Sequence, residues 1–401
     1  MKLSNLAIFG APPQFSSPLH VGGPNIGDRN SLMRRIDRIL STRWLTNNGP
    51  MVQEFEQKIA SLTGVKHCIA ICNATVALQI AIRALDLAGE VIVPSFTFVA
   101  TAHALQWEGV KPVFCDVNDE YLIDPRQVEK LITPRTTGII GVHLWGRACD
   151  VKALSAIAKR HRLKLLFDAA HSFGCSDRAK MIGNFGDAEV FSFHATKFLN
   201  TAEGGAIVTN NHALASKIRL MNNFGFAGYD RVIYLGTNGK MNEFNAALGL
   251  TNLEKIKQII QINRNNYVAY KRYLKGVKGV SLLPYDKKEK SNYQYVVVII
   301  DQKKSGIDRN SLLKVLEAEN ILARRYFYPG CHKMEPYRST KLLKRRLFPV
   351  TEKACDEVMC LPTGEAVSSR SIQKICTIIK AAAANGSEIV DRLRFLPKEN
   401  L

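Results

Sequence analysis

Leu163-Lys-Leu-Leu-Phe-Asp-Ala-Ala-His171, followed by Glu189-Val-Phe-Ser-Phe-His-Ala-Thr-Lys197, holds two short apolar runs that each break off into polar residues. The runs 163–168 and 189–193 lack the apolar–polar alternation of a half-exposed strand, so they read as strands buried on both faces. Outward from this pair, 67–71, 90–94, 111–116, 137–143 and 205–209 are runs of the same kind. Between them 75–85, 97–108, 125–131 and 150–161 have helical patterns. Strand alternating with helix predicts a mostly parallel sheet covered on both sides, the α/β architecture. Beyond residue 213 the pattern changes. Long helices are expected at 213–223 and 241–274, the second broken or kinked. A smaller α+β region follows, with a strand at 293–300 and helices at 311–319 and 369–384. The expected organisation is a large domain, 1–260, with an N-terminal arm, and a small C-terminal domain, 261–401. No repeat or low-complexity linker marks the boundary.

The 401 residues are 46% hydrophobic and 22% charged, which excludes a disordered chain, a collagen-like repeat and a small disulfide scaffold. Lys and Arg outnumber Asp and Glu by 55 to 35, a formal charge of +20. Such a balance suits nucleic acid, an anionic membrane surface, anionic small substrates, or nothing specific. No recognised nucleic-acid module accompanies it. The basic cluster Lys333, Arg338, Lys341, Lys344, Arg345 and Arg346 reads as a solvated face. The nine cysteines form no C-x-x-C pair, so no metal site is expected, and they read as buried thiols of a reducing compartment. The first residues lack the apolar core of a signal peptide, and no run is long enough to span a membrane. The expected location is cytoplasmic.

In a parallel sheet, functional groups gather at the carboxyl ends of the strands. Asp168 closes one strand and Lys197 lies just past the next. Asn73-Ala74-Thr75 opens a helix directly after the strand 67–71, which makes either a phosphate cradle or an ordinary cap. Each signal alone is weak, since an acid is often merely paired and a lysine merely solvated. Together they match one cofactor. Pyridoxal 5'-phosphate needs a lysine amine for its Schiff base, an acid beside its pyridinium nitrogen, and N–H and O–H donors for its phosphate.

The run Phe191-Ser-Phe-His-Ala-Thr-Lys197 with Glu203-Gly-Gly205, preceded by Asp168-Ala-Ala-His171, resembles the DegT/DnrJ/EryC1/StrS family. Further motifs of that family stand in order along the chain. They are Trp44-Leu-Thr-Asn-Asn-Gly49, Val93-Pro-Ser-Phe-Thr-Phe98, Gly236-Thr-Asn-Gly-Lys-Met241 with Ala246-Ala-Leu-Gly249, Ala323-Arg-Arg-Tyr-Phe-Tyr-Pro-Gly-Cys-His332 and Leu361-Pro-Thr-Gly364. The resemblance implies a fold-type-I pyridoxal-phosphate aminotransferase. It implies that Lys197 carries the cofactor and acts as base, that Asp168 pairs with the pyridinium nitrogen, and that His171 sits by the ring. Phe98 would stack on the open face. Ala74, Thr75 and Ser192 would hold the phosphate, and Asn238 would reach it from a neighbouring subunit, giving a homodimer with shared active sites. Lys240, Arg325, Tyr328 and His332 are candidate substrate contacts, although His332 equally reads as closing a turn. Two positions depart from the common pattern: Asn73 stands where serine is frequent, and His171 where glutamine is frequent.

The implied reaction is ping-pong transfer of an amino group from glutamate to a nucleotide-linked keto sugar, the cofactor passing through its pyridoxamine phosphate form. The segments ending at Lys197 and His332 resemble those of enzymes that aminate C4 of dTDP-4-keto-6-deoxyglucose, on routes to lipopolysaccharide or glycosylated natural products. C3 amination and a non-catalytic regulatory role are the alternatives. Intact Lys197 and Asp168 count against the latter.

Overall fold

Strands β1 His67–Ile71, β2 Glu90–Pro94, β3 Lys111–Cys115, β4 Thr136–Val142, β5 Lys164–Asp168, β6 Ala188–Ser192 and β7 Gly205–Thr209 form one sheet in a computed structural model that describes residues 2–339 and 347–395. Lys341, Lys344, Arg345 and Arg346 of the basic cluster lie outside the described residues. The strand order is β1-β7-β6-β5-β4-β2-β3. β7 runs antiparallel to both neighbours, and every other pairing is parallel. Six strands therefore end along one edge, and β7 begins there. Every residue of β2, β6 and β7 is buried, as expected of unbroken apolar runs.

Side chains that alternate along β1 enter two different cores. Ile69 and Ile71 pack with Leu78, Ile82 and Leu105. Cys68 and Ala70 pack with Phe55, Ile59 and Leu250 on the opposite face. The helices doing the covering are α1 Arg29–Thr42, α2 Pro50–Thr63, α3 Ala74–Ala84, α4 Ala100–Trp107, α5 Pro125–Leu131, α6 Val151–His161, α7 His212–Met221, α8 Glu243–Glu254 and α9 Ile256–Tyr273. The break expected within 241–274 falls at Lys255, between α8 and α9.

A second sheet, β8 Val280–Leu282, β9 Val296–Ile300 and β10 Val358–Leu361, is antiparallel with β9 at its centre. Helices Arg309–Ala318 and Ser369–Ala384 pack on it through Leu312, Leu316, Ile372 and Ile375. Residue 260 falls inside α9, whose Ile259 belongs to the first sheet's core and whose Tyr267 and Tyr270 belong to the second's. Leu6, near the N-terminus, also packs into the second core. The strand expected at 293–300 begins three residues late, because Tyr293 has a φ of 49° and cannot sit in a ladder. The helix expected at 97–108 begins at Ala100, which leaves Thr97 and Phe98 in the loop after β2. Among the described residues, no helix is long and apolar enough to cross a membrane.

Candidate active site

The carboxyl edge of the first sheet opens into a cavity of about 550 Å³. Ala74, Thr75, Phe98, Asp168, His171, Ser192 and Lys197, all singled out in the sequence, line this one space.

Asp168 ends β5 and is 6% exposed. Its Oδ2 accepts from Thr101 Oγ1 at 2.8 Å and its Oδ1 from the Ala170 N–H at 3.1 Å. Thr101 Oγ1 is also 3.1 Å from Thr97 Oγ1. Burial raises the Asp168 carboxyl above the usual range, with the bonds from Thr101 and Ala170 pulling the other way. Lys197 follows β6 after a short turn, and its amine donates to Tyr295 Oη at 3.2 Å. Burial draws that amine down to about 8, against the opposing pull of Asp168. The His171 imidazole is held well below its usual value by burial first and by Lys197 second, so it stays neutral. Its ring lies 4.5 Å from that of Tyr295 and 5.8 Å from that of Phe327.

The opposite wall is the start of α3. Asn73 Oδ1 accepts the Val76 N–H at 2.9 Å, so asparagine does the capping that serine commonly does. The N–H groups of Ala74 and Thr75 have no acceptor within the helix and lie at its positive end. Gly205 lets this helix come so close to β6 and β7. A Cβ there would stand 2.8 Å from the Ala74 nitrogen.

The remaining sequence candidates lie elsewhere. Arg325 and Tyr328 line an adjoining hollow of about 320 Å³, which shares Thr97, Phe98, Arg324, Tyr326 and Phe327 with the main cavity. The Arg325 guanidinium stacks on Tyr328 at 4.5 Å. Lys240 donates to Asn223 Oδ1 at 2.9 Å and lies over the Phe224 ring, and Asn238 is exposed on the same edge. Neither lines the cavity. His332 does not line it either. Its Nδ1 is 2.6 Å from Ser95 Oγ, its Nε2 3.3 Å from Glu352, and its ring stacks on Phe348 at 4.3 Å. These contacts tie the segment after Pro329 to Ser95 and to Glu352.

Thr101, which bonds Asp168, and Tyr295, which receives the Lys197 amine, were not singled out in the sequence. Thr101 lies in the first turn of α4, where its hydroxyl meets that of Thr97 in the preceding loop. Tyr295 carries a phenol into a buried apolar run, where the hydroxyl demands a partner.

The sequence profile of the DegT/DnrJ/EryC1/StrS aminotransferase family matches residues 27–380. A dTDP-4-amino-4,6-dideoxy-D-glucose transaminase of Shigella dysenteriae is 36% identical over 364 residues, covering 90% of this chain and 98% of that protein. Its Escherichia coli counterpart is 35% identical, covering 89% and 96%. Among solved structures, DesI in the presence of its TDP-sugar product superposes with a TM-score of 0.94 at 46% identity, covering 98% of this chain and 100% of that one. PseC of Helicobacter pylori, an aminotransferase involved in pseudaminic acid biosynthesis, gives a TM-score of 0.84 at 29% identity, covering 91% and 99%. With its profile match running from α1 into the last long helix, and with relatives matched over nearly their whole length, the chain belongs to the DegT/DnrJ/EryC1/StrS aminotransferase family.

Proposed function

We propose that the protein transfers an amino group from glutamate to C4 of dTDP-4-keto-6-deoxyglucose, using pyridoxal 5'-phosphate carried on Lys197. The observation that carries this reading is the meeting of the Lys197 amine and the Asp168 carboxylate in one buried cavity, opposite the start of α3. The residues fit the cofactor. A buried acid stands at one end, a lysine with a lowered amine beside it, and a helix N-terminus at the other, brought close by a glycine that no side chain could replace without displacing it. The choice of C4 rests on the named activity of the Shigella and Escherichia relatives.

Bound pyridoxal phosphate supplies an electron sink conjugated to the carbon that loses a proton. The chain's own groups supply the rest. Asp168, shielded from water and tied by Thr101 and Ala170, would hold a proton on the cofactor's ring nitrogen. The N–H groups of Ala74 and Thr75 and the Ser192 hydroxyl bind phosphate at the positive end of α3. Lys197 has an appreciable neutral fraction near neutral pH, because burial has lowered its amine to about 8. In the glutamate half its Nζ would move the proton from the donor's α-carbon to the carbon the cofactor contributes, and in the sugar half it would move a proton from that carbon to the sugar carbon. Proton transfer of this kind contributes roughly 10²–10⁴-fold. Phe98, 56% exposed in the lining of the cavity, would cover the cofactor's open face. Arg324 and Arg325, at the adjoining hollow, attract the substrate's phosphates.

A second copy of the chain completes the site. Asn238 lies outside its own chain's cavity, and the segment 223–238 that carries it exposes Phe224, Val232, Ile233 and Leu235 together. Clustered apolar exposure of this kind is what subunits cover.

Protein loaded with pyridoxal phosphate is expected to gain a yellow band that borohydride fixes at Lys197 and that glutamate bleaches. Lys197→Ala is expected to lose both responses. A wild-type protein that takes up no cofactor overturns the proposal.

A further inference from the structure

The hydroxyl that receives the Lys197 amine comes from outside the first sheet. Tyr295 immediately precedes β9, is 4% exposed, and lies ring to ring with His171. Its neighbours in the chain hold the same catalytic loops. Asn292 Nδ2 donates to the carbonyls of His171 and Phe173, each at 3.0 Å, and Gln294 Nε2 donates to the carbonyl of Thr196 at 3.4 Å. These residues are themselves anchored. Asn263 of α9 donates to the Asn292 carbonyl at 3.2 Å, and Tyr285 Oη donates to the Tyr295 carbonyl at 2.7 Å. Residues 292–295 thus form a strap that grips the loop after Asp168 and the loop before Lys197, and ends with a phenol on the reactive amine.

We propose that Tyr295 is a positioning residue whose hydroxyl receives the Lys197 amine whenever that amine is not bonded to cofactor, keeping it aimed at the reacting carbon between proton transfers. This rests on the functional reading given above. The lysine stem has four rotatable carbons, and holding it in one geometry costs side-chain entropy. An acceptor at its tip fixes the amine where the chemistry needs it. Burial keeps the phenol protonated, holding it well above its ordinary value. The oxygen therefore accepts from the ammonium form, and the hydroxyl hydrogen can turn toward the lone pair once the amine is neutral. No covalent bond forms. A hydrogen bond from a charged donor is the stronger of the two, so the hydroxyl favours the ammonium and works against burial.

The test compares Tyr295→Phe with Tyr293→Phe. Tyr293 belongs to the same strap, but its ring packs on Tyr267 and Tyr285. The first readout uses cofactor-free protein: the rate at which an amine-reactive reagent labels Lys197, followed by peptide mass spectrometry across pH. The second uses loaded protein: the single-turnover rate with glutamate, and the glutamate concentration that half-saturates it. In Tyr295→Phe the labelling half-point is expected to fall by about half a pH unit. The single-turnover rate is expected to fall roughly three- to tenfold with half-saturation unchanged. Tyr293→Phe is expected to move neither. An unmoved labelling half-point in Tyr295→Phe, or equal changes in both variants, overturns the proposal. If the wild type takes up no cofactor, the functional reading fails separately, and the labelling half-point still decides whether the Tyr295 hydroxyl receives the Lys197 amine.

Discussion

A lysine that must accept a proton has to spend time uncharged, and the surroundings of Lys197 arrange this at a cost to the fold. Its amine sits at about 8 in the folded protein, against an ordinary 10.5. Between those values the unfolded chain binds more protons than the folded one, so this group makes stability rise with pH across that window. Below about pH 8 the full cost of holding the charge in the cavity is present. Replacing Lys197 by methionine removes it. Cofactor-free Lys197→Met is therefore expected to be more stable than wild type at pH 7 by roughly 1–3 kcal/mol, an advantage that shrinks toward pH 10. Urea unfolding at several pH values measures this, and a variant less stable at pH 7 contradicts it. Asp168 and Lys197 were legible in the sequence because an acid closing an apolar strand, and a lysine just past the next strand, fall on the edge where sites form. His332 was not legible, since the same letters serve a ring that lines a site and one pinned between Ser95 and Glu352.

At the scale of single elements, the proposed function would place the cofactor phosphate at the start of α3. Asn73 caps the helix, so Asn73→Ser should be nearly neutral in stability, whereas Asn73→Ala should lose about 1 kcal/mol in thermal or chemical unfolding. Equal losses in the two variants would argue against the capping role. Gly205 contributes space. In Gly205→Ala the new methyl would meet the Ala74 nitrogen at 2.8 Å, so the helix must move away from β7. The expected result is a cofactor affinity at least tenfold weaker by spectroscopic titration, with a fold destabilised by about 1–3 kcal/mol. Unchanged affinity would show that the close approach is not needed. The strands were legible because burial on both faces leaves an unmistakable apolar run, as at 90–94 and 205–209. Element ends were less so, because a positive φ at Tyr293, or a loop needed to present Thr97 and Phe98, leaves no mark in hydrophobic periodicity.

For the whole molecule, the seven-stranded and the three-stranded sheets share one chain, and the site draws on both. The first supplies the acid and the lysine, and the second supplies the strap that holds their loops. That dependence was invisible in the sequence, where residues 292–295 read simply as the start of a strand. The excess of 20 positive charges is mostly unrelated to the chemistry, which engages few basic groups. The exposed apolar residues of 223–238 say more about assembly. Val232→Asp with Leu235→Asp is expected to give a monomer by light scattering, with weakened cofactor binding, because Asn238 then has no neighbour's cavity to enter. A variant that keeps both the wild-type mass and its affinity contradicts shared sites. The central claim, amino transfer to a nucleotide-linked keto sugar, is tested most directly with isotope-labelled glutamate and dTDP-4-keto-6-deoxyglucose, locating the label by NMR. Labelled nitrogen is expected on C4 of the sugar. Label on C3, or none transferred by protein carrying its cofactor, would contradict it.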